Sequence, residues 1–202
     1  MTTLYTVQCN FNRPDLEAEW NDWYNGPKTA HMLAKPLFLR AQRFEAYSFD
    51  TDVKYLAMWE LESAAALESP EYKATWGWDR WQPMIDDWVR DLSASCDPSG
   101  RVPFIEGVSS AVYVHLAWFD DGVDRTRLQA LAARGVETSS WWWGSCRGLD
   151  NSARTIAVTG IGSEADVPSE PIFGPSARRE TVYRSISALA HAHADVADSG
   201  RG

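Results

Sequence analysis

The stretch L-Y-T-V-Q-C-N (residues 4–10) alternates apolar Tyr5, Val7 and Cys9 with polar Thr6, Gln8 and Asn10, the period of a half-buried strand. It opens a succession of segments that leaves few folds available. Pro14 suits a first helical turn, and Leu16, Trp20, Trp23 and Tyr24 recur at helical spacing until Gly26-Pro27 interrupts. K-T-A-H-M-L-A-K can add a turn or two before Pro36. Residues 38–48 and 54–61 read as two strands around a polar turn at Asp50 to Asp52. A helical region is predicted from 63 to 89 with a break near Pro70, its stripe being Trp78, Trp81, Ile85 and Trp88, and a fourth strand at 90–96. Strand, helix, strand, strand, helix, strand is the ferredoxin-like order.

The rest of the chain repeats that order in reduced form. A-V-Y-V-H-L-A-W (111–118) is a strand, and D-R-T-R-L-Q-A-L-A-A-R-G a helix from an Asp124 cap to a Gly135 stop. E-T-S-S-W-W-W-G-S, R-T-I-A-V-T-G-I and E-T-V-Y-R-S-I-S supply three more strands. Where a second helix belongs, V-P-S-E-P-I-F-G-P-S is too rich in proline to form one. Three neighbouring tryptophans on a strand must send Trp142 to the face opposite Trp141 and Trp143. The expected fold is therefore α+β, with two tandem ferredoxin-like units at 1–97 and 104–190, a linker at 97–103 and a loose tail at 191–202. A four-stranded sheet with helices on one face leaves its other face bare. The two antiparallel sheets are thus expected to pack into an α+β barrel within one chain, enclosing a cavity.

Composition excludes several classes of function. A chain of 202 residues with net charge −9 and no basic run is not built to hold phosphate backbones or acidic membranes. No apolar stretch approaches the ~20 residues of a membrane span, and M-T-T-L-Y-T-V lacks the character of a signal peptide, so a cytoplasmic location is expected. Cys9, Cys96 and Cys146 are odd in number and far apart, which fits neither a disulfide framework nor a zinc site. Eleven tryptophans are more than a core of this size ordinarily takes, and some are expected to wall a cavity for a flat apolar ligand.

W-N-D-W-Y-N followed by H-M-L-A-K-P-L-F-L-R-A-Q-R-F, with Y-L-A-M-W-E-L and S-P-E-Y-K-A further on, resembles the EthD-like members of the dimeric α+β barrel superfamily over residues 4–95. The sequence departs from the family pattern at Leu37, where glycine is usual, at Ala34, and in the longer spacing that Gly26-Pro27 puts between tyrosine and histidine. The resemblance implies an apolar pocket with a few polar groups, into which the histidine at this helix end points. Its members include cofactor-free cyclases, monooxygenases and decarboxylases of aromatic compounds, and haem enzymes.

Trp20, Tyr24, Pro27 and His31 fall on one side of a helix, so His31 is the first candidate for a general base, with Tyr24 as donor to a developing oxyanion. The other reading of His31 is a histidine satisfied by a backbone carbonyl. His115 is the second candidate. Aligning the two opening strands sets Gln8 opposite His115 and Thr6 opposite Tyr113, so that both could enter one chamber. Arg43, Glu60 and Arg184 lie on strands, where an inward arginine would hold a carboxylate or enolate. Trp20, Trp59, Trp78, Trp81, Arg43, Gln8 and Tyr113 are the expected substrate contacts. G-I-G-S-E-A (160–165) matches a dinucleotide fingerprint but lacks the helix that must follow it, and H-A-H-A-D (191–195) lies in the tail.

The function expected from these residues is proton transfer on a small aromatic or polyketide-like compound, without organic cofactor or metal, by a monomer or homodimer. A binding protein without turnover, and a haem enzyme with His31 or His115 as axial ligand, are the alternatives.

Overall fold

A computed structural model of the chain describes residues 3–49, 51–96, 112–120, 123–135, 141–146, 149 and 155–192. The first half contains β1 (Thr3–Phe11), α1 (Glu17–Trp23), α2 (Thr29–Leu33), β2 (Phe38–Ser48), β3 (Tyr55–Leu61), α3 (Pro70–Thr75) and β4 (Ile85–Ser95). The second contains β5 (Tyr113–Phe119), α4 (Arg125–Gly135), β6 (Trp142–Cys146), β7 (Thr155–Ile161), β8 (Arg179–Ser185) and the short β9 (Ala190–His191). All strand pairs are antiparallel. The first half runs β4-β1-β3-β2 across its sheet and the second β8-β5-β7-β6, the same order with respect to its own strands. β4 pairs with β6 and β2 with β8, so the two sheets join at both edges and close an eight-stranded barrel.

Closure explains why β1 is buried along almost its whole length, polar residues included. Leu4, Phe44, Leu56, Met58, Trp118, Trp142 and Tyr183 fill the lumen. Eight strands leave an interior just wide enough for side chains. The expected cavity between the sheets is thus a packed core. Tyr5, Val7 and Cys9 face outward onto the helices of the first half, and Ala117, Phe119 and Trp143 onto α4 and the segment around Phe173. Trp142 turns into the lumen while Trp141 and Trp143 turn out, as the strand period requires.

Two elements differ from their sequence reading. Gly26-Pro27 does not end the helix. Pro27 has no N–H to give, and the chain stays helical through a π turn, Tyr24–Lys28, in which Tyr24 O accepts from both Thr29 N and, at 2.6 Å, Thr29 Oγ1. The region 63–89 is not one broken helix either. It divides at Pro70, Gly77 and Pro83 into a 3₁₀ turn (Ala64–Glu68), α3, a second 3₁₀ turn (Asp79–Met84) and the start of β4, so Ile85 and Trp88 are strand residues. Asp124 caps α4 as expected, its Oδ1 accepting from Thr126 N at 3.0 Å and Arg127 N at 3.2 Å. The proline-rich stretch forms only 3₁₀ turns. The linker and the tail beyond 192, with its H-A-H-A-D run, lie outside the described residues, apart from His191 and Ala192. No helix among those described is long and apolar enough to cross a membrane.

Candidate active site

A narrow recess, with about 30 Å³ of free space, lies between the first sheet and its helices. β1 supplies Tyr5 and Val7 to its floor, and Trp59 and Arg90 stand directly opposite these on β3 and β4. The π turn supplies Tyr24 and Lys28, α2 Met32, α3 Tyr72, and the following loop Trp76, Gly77 and Trp78. Gly77 sits at φ +97°, where a Cβ would also press on Gln82 Oε1 at 3.0 Å, so glycine is what lets this loop turn both tryptophans to the recess.

Its walls are aromatic and its polar atoms few. Tyr5 OH and Tyr72 OH share a 2.9 Å hydrogen bond. Burial pushes both the Tyr5 and Tyr24 phenols up, keeping them protonated donors. Trp78 Nε1 is buried without a hydrogen-bond partner. Lys28 Nζ donates to Thr75 O at 3.3 Å at the carboxyl end of α3, where a cation also suits the helix dipole. Burial holds the Lys28 amine below the usual lysine range, only partly opposed by Asp79. At the mouth the Arg90 guanidinium lies 4.5 Å over Trp76 and 5.2 Å over Trp88.

Of the residues singled out in the sequence, Tyr24, Trp59 and Trp78 meet here. Trp20 and Trp81 are core residues behind the recess, at 0% and 2% exposure. Arg43 lies behind Tyr24, its guanidinium 4.0 Å over that ring and 4.7 Å over Trp20, with Nη1 donating to Asn25 Oδ1 at 2.8 Å. Burial lowers its pKa to about 10.

His31 is not in the chamber. The buried positions on this helical run are Trp20, Tyr24, Lys28, Thr29, Met32 and Leu33, a stripe that advances by four residues from Trp20 through Lys28 to Met32 because the π turn makes the helix locally wider than 3.6 residues per turn. His31 falls just outside that stripe and is exposed, with Nε2 3.3 Å from Lys35 Nζ. Desolvation first, then the Lys35 and Lys28 charges, lower its pKa.

Gln8 and His115 do not share a cavity either. Gln8 points into the lumen, where Nε2 donates to Tyr183 OH at 2.9 Å and Oε1 accepts from Arg179. His115 faces outward from β5, on the side of Tyr113, whose own ring packs edge-on against Tyr47 at 4.7 Å. The sequence alignment of the two strands is one residue out of phase: the lumen-facing set on β5 is Val114, Leu116 and Trp118.

Neither histidine fits as an axial haem ligand. A lysine ammonium group stands against His31 Nε2, while His115 is 0% exposed, with Nε2 given to Glu180 and Trp141 packed at 5.1 Å. Among the described residues, no three His, Cys, Asp or Glu side chains converge as metal ligands would.

The site residues missed in the sequence are Tyr5, Lys28, Tyr72, Trp76 and Arg90. Lys28 carried a signal, since it lies four residues beyond Tyr24 in an otherwise apolar stripe. The others become neighbours only through strand register and loop geometry.

The fold is thus an antiparallel barrel of two ferredoxin-like sheets with helices on its outer face, closed by one chain. Solved structures share it across nearly their whole length. An anthrone oxidase-like protein matches with TM-score 0.59 and 11% identity over 95% of this chain and 93% of its own. A candidate monooxygenase from Lactobacillus acidophilus NCFM matches with TM-score 0.55 and 8% identity over 95% and 97%. A mutant chlorite dismutase from Candidatus Nitrospira defluvii matches with TM-score 0.51 and 9% identity over 91% of each chain. No family model and no curated protein sequence matches.

Proposed function

We propose that this chain is a cytoplasmic, EthD-like enzyme that takes a small phenolic or enolic aromatic compound into the recess of its first half and acts by moving a proton. The observation that carries the reading is the lining: six aromatic side chains around one buried amine. The substrate ring enters between Trp59 and Trp78 as Trp76, 41% exposed, swings outward to make room for it, and stacking and edge contacts there are favourable. Lys28 Nζ, in its neutral form, takes the acidic proton. The ammonium so formed, with Arg90 at the mouth, then stands against the new enolate or phenolate. Tyr24 OH and Trp78 Nε1 are hydrogen-bond donors for its oxygen. Tautomerisation, elimination of water or cyclisation can follow from such an anion, and no organic cofactor is needed for the proton step.

The test is a panel of phenols and polyketide-like compounds, read by tryptophan fluorescence, product formation and dioxygen uptake. Uptake is included because similar structures carry oxidase and monooxygenase names. We expect saturable quenching and turnover by the wild type. Lys28→Met should keep the quenching and lose roughly a hundredfold in kcat, the scale of a lost general base. Because burial lowers the Lys28 pKa, the wild-type rate should rise with pH through a limb below the ordinary lysine range, and Lys28→Met should lack that limb. Saturable quenching without turnover for every compound would make the chain a binding protein. Absence of saturable quenching would reject the recess as a ligand site.

A further inference from the structure

The outer face of the second half holds a buried group that the recess chemistry does not use. His115 on β5 is fully buried, and its Nε2 is 2.8 Å from Glu180 Oε1. Glu180 lies on β8, on the outward face between the lumen residues Arg179 and Thr181. Its carboxylate is anchored from above by the segment that replaces the missing helix. Oε1 accepts from Ile172 N at 2.6 Å, and Oε2 from Phe173 N at 3.0 Å and Gly174 N at 3.2 Å. Both oxygens are therefore acceptors, and the hydrogen between Glu180 and His115 belongs to Nε2. In the neutral imidazole the lone pair is then on Nδ1. Nδ1 is buried and has no partner.

The ring nearest to it is Trp141, edge-on at 5.1 Å, and Trp141 Nε1 is also buried without a partner. Two rings in edge contact thus each carry a buried polar nitrogen without a partner, an acceptor on the neutral imidazole and a donor on the indole, in an interior where polar groups are ordinarily hydrogen-bonded. Phe49 and Phe173 complete the surroundings, their rings 5.7 and 6.4 Å from the imidazole. Phe49 stands at φ +66°, in the left-handed region, and with Glu180 and Gly174 lines an open groove of about 620 Å³. The groove reaches Glu180 from outside, and the imidazole lies behind that wall, in ring contact with Phe49.

We propose that His115, Glu180 and Trp141 form a second small-molecule site, which takes the hydroxyl group of a phenol. A hydroxyl both donates and accepts, so one such group can give its hydrogen to Nδ1 and receive the indole N–H. The aromatic surroundings favour a phenol over an aliphatic alcohol. A carboxylate that fixes the tautomer of an imidazole whose other nitrogen faces a hydroxyl is an arrangement suited to proton removal. In that step the O–H bond breaks, the proton goes to Nδ1, Nε2–H remains on Glu180, and the phenolate oxygen stays on the Trp141 N–H.

The experiment uses phenol and p-nitrophenol with the full chain. Ring-nitrogen NMR, assigned with His115→Gln, follows Nδ1 during titration, and absorbance follows p-nitrophenol. Gln keeps a donor for Glu180 and removes the acceptor, whereas Trp141→Phe keeps the ring and removes only the N–H. We expect a saturable shift of the His115 Nδ1 resonance in the wild type, and binding at this site weakened about tenfold by Trp141→Phe, the size of one lost hydrogen bond. Lys28→Met should leave the Nδ1 shift unchanged, which separates this site from the recess. An Nδ1 resonance that stays in place at saturating phenol, or a shift of equal affinity in Trp141→Phe, overturns the proposal and leaves a dyad that only ties down residues 172–174. Should His115→Gln fail to fold, selective labelling of the wild type and Trp141→Phe still decide.

Discussion

Cys9 lies at 2% exposure on the outward face of β1, and burial pushes its thiol up to about 12 although the Arg43 charge opposes the shift. The unfolded chain ionises this thiol near its ordinary value, about 8.5 to 9. Stability contributed by the neutral thiol is therefore complete below that range and is lost as pH rises toward 12. Urea unfolding at pH 8 and pH 10 should show the wild type losing about 1.5 to 2 kcal/mol more than Cys9→Ala between the two, from a limiting slope of about 1.4 kcal/mol per pH unit. His31 gives the second prediction at this scale. Exposed beside Lys35 and turned from the recess, it has no route to a bound ligand, so His31→Ala should leave kcat within about twofold. A hundredfold loss, the expectation for a general base, would put the imidazole back in the mechanism.

The π turn is the element on which the first site depends. The helical periodicity of Trp20 and Tyr24 is plain in the sequence, and Pro27 marks the disturbance, but sequence periodicity assumes 3.6 residues per turn. The structural answer to the missing N–H is a wider turn, and that brings Lys28 inward and sends His31 outward. Thr29 Oγ1 braces the turn through its bond to Tyr24 O. Thr29→Val, nearly equal in shape, should cost about 1 kcal/mol in thermal or urea unfolding. It should also weaken aromatic quenching, because Tyr24 and Lys28 lose their brace. Unchanged quenching at reduced stability would show that the turn is held by packing alone. Strands, with their period of two, were legible to within a few residues, whereas 63–89 was not. Its tryptophans match a helical stripe, but Pro70, Gly77 and Pro83 divide it, and nothing local says that Ile85 begins a strand.

At the scale of the whole molecule, the double ferredoxin-like order was readable because each half carries its own strand periods and caps. The phase of one half against the other was not, since it depends on which residues meet at the β4–β6 and β2–β8 seams. That phase decided that Gln8 enters the lumen and His115 leaves it. A barrel closed by one chain needs no second copy to complete its core. Diluted until it is a monomer by light scattering or sedimentation, the chain should therefore keep its cooperative unfolding, with a midpoint that no longer changes on further dilution. Loss of the cooperative transition on dilution to the monomer would mean that a second copy is needed to complete the fold.

The covalent joining of the two halves has an evolutionary consequence. In a barrel made from two identical subunits, every substitution appears twice, and a residue that suits one pocket must be tolerated in the other. Here a mutation is made once. One half is free to keep aromatic rings around an amine while the other trades a helix for prolines and an anchored carboxylate. The chain can drift toward two unlike chemistries while the shared core stays fixed.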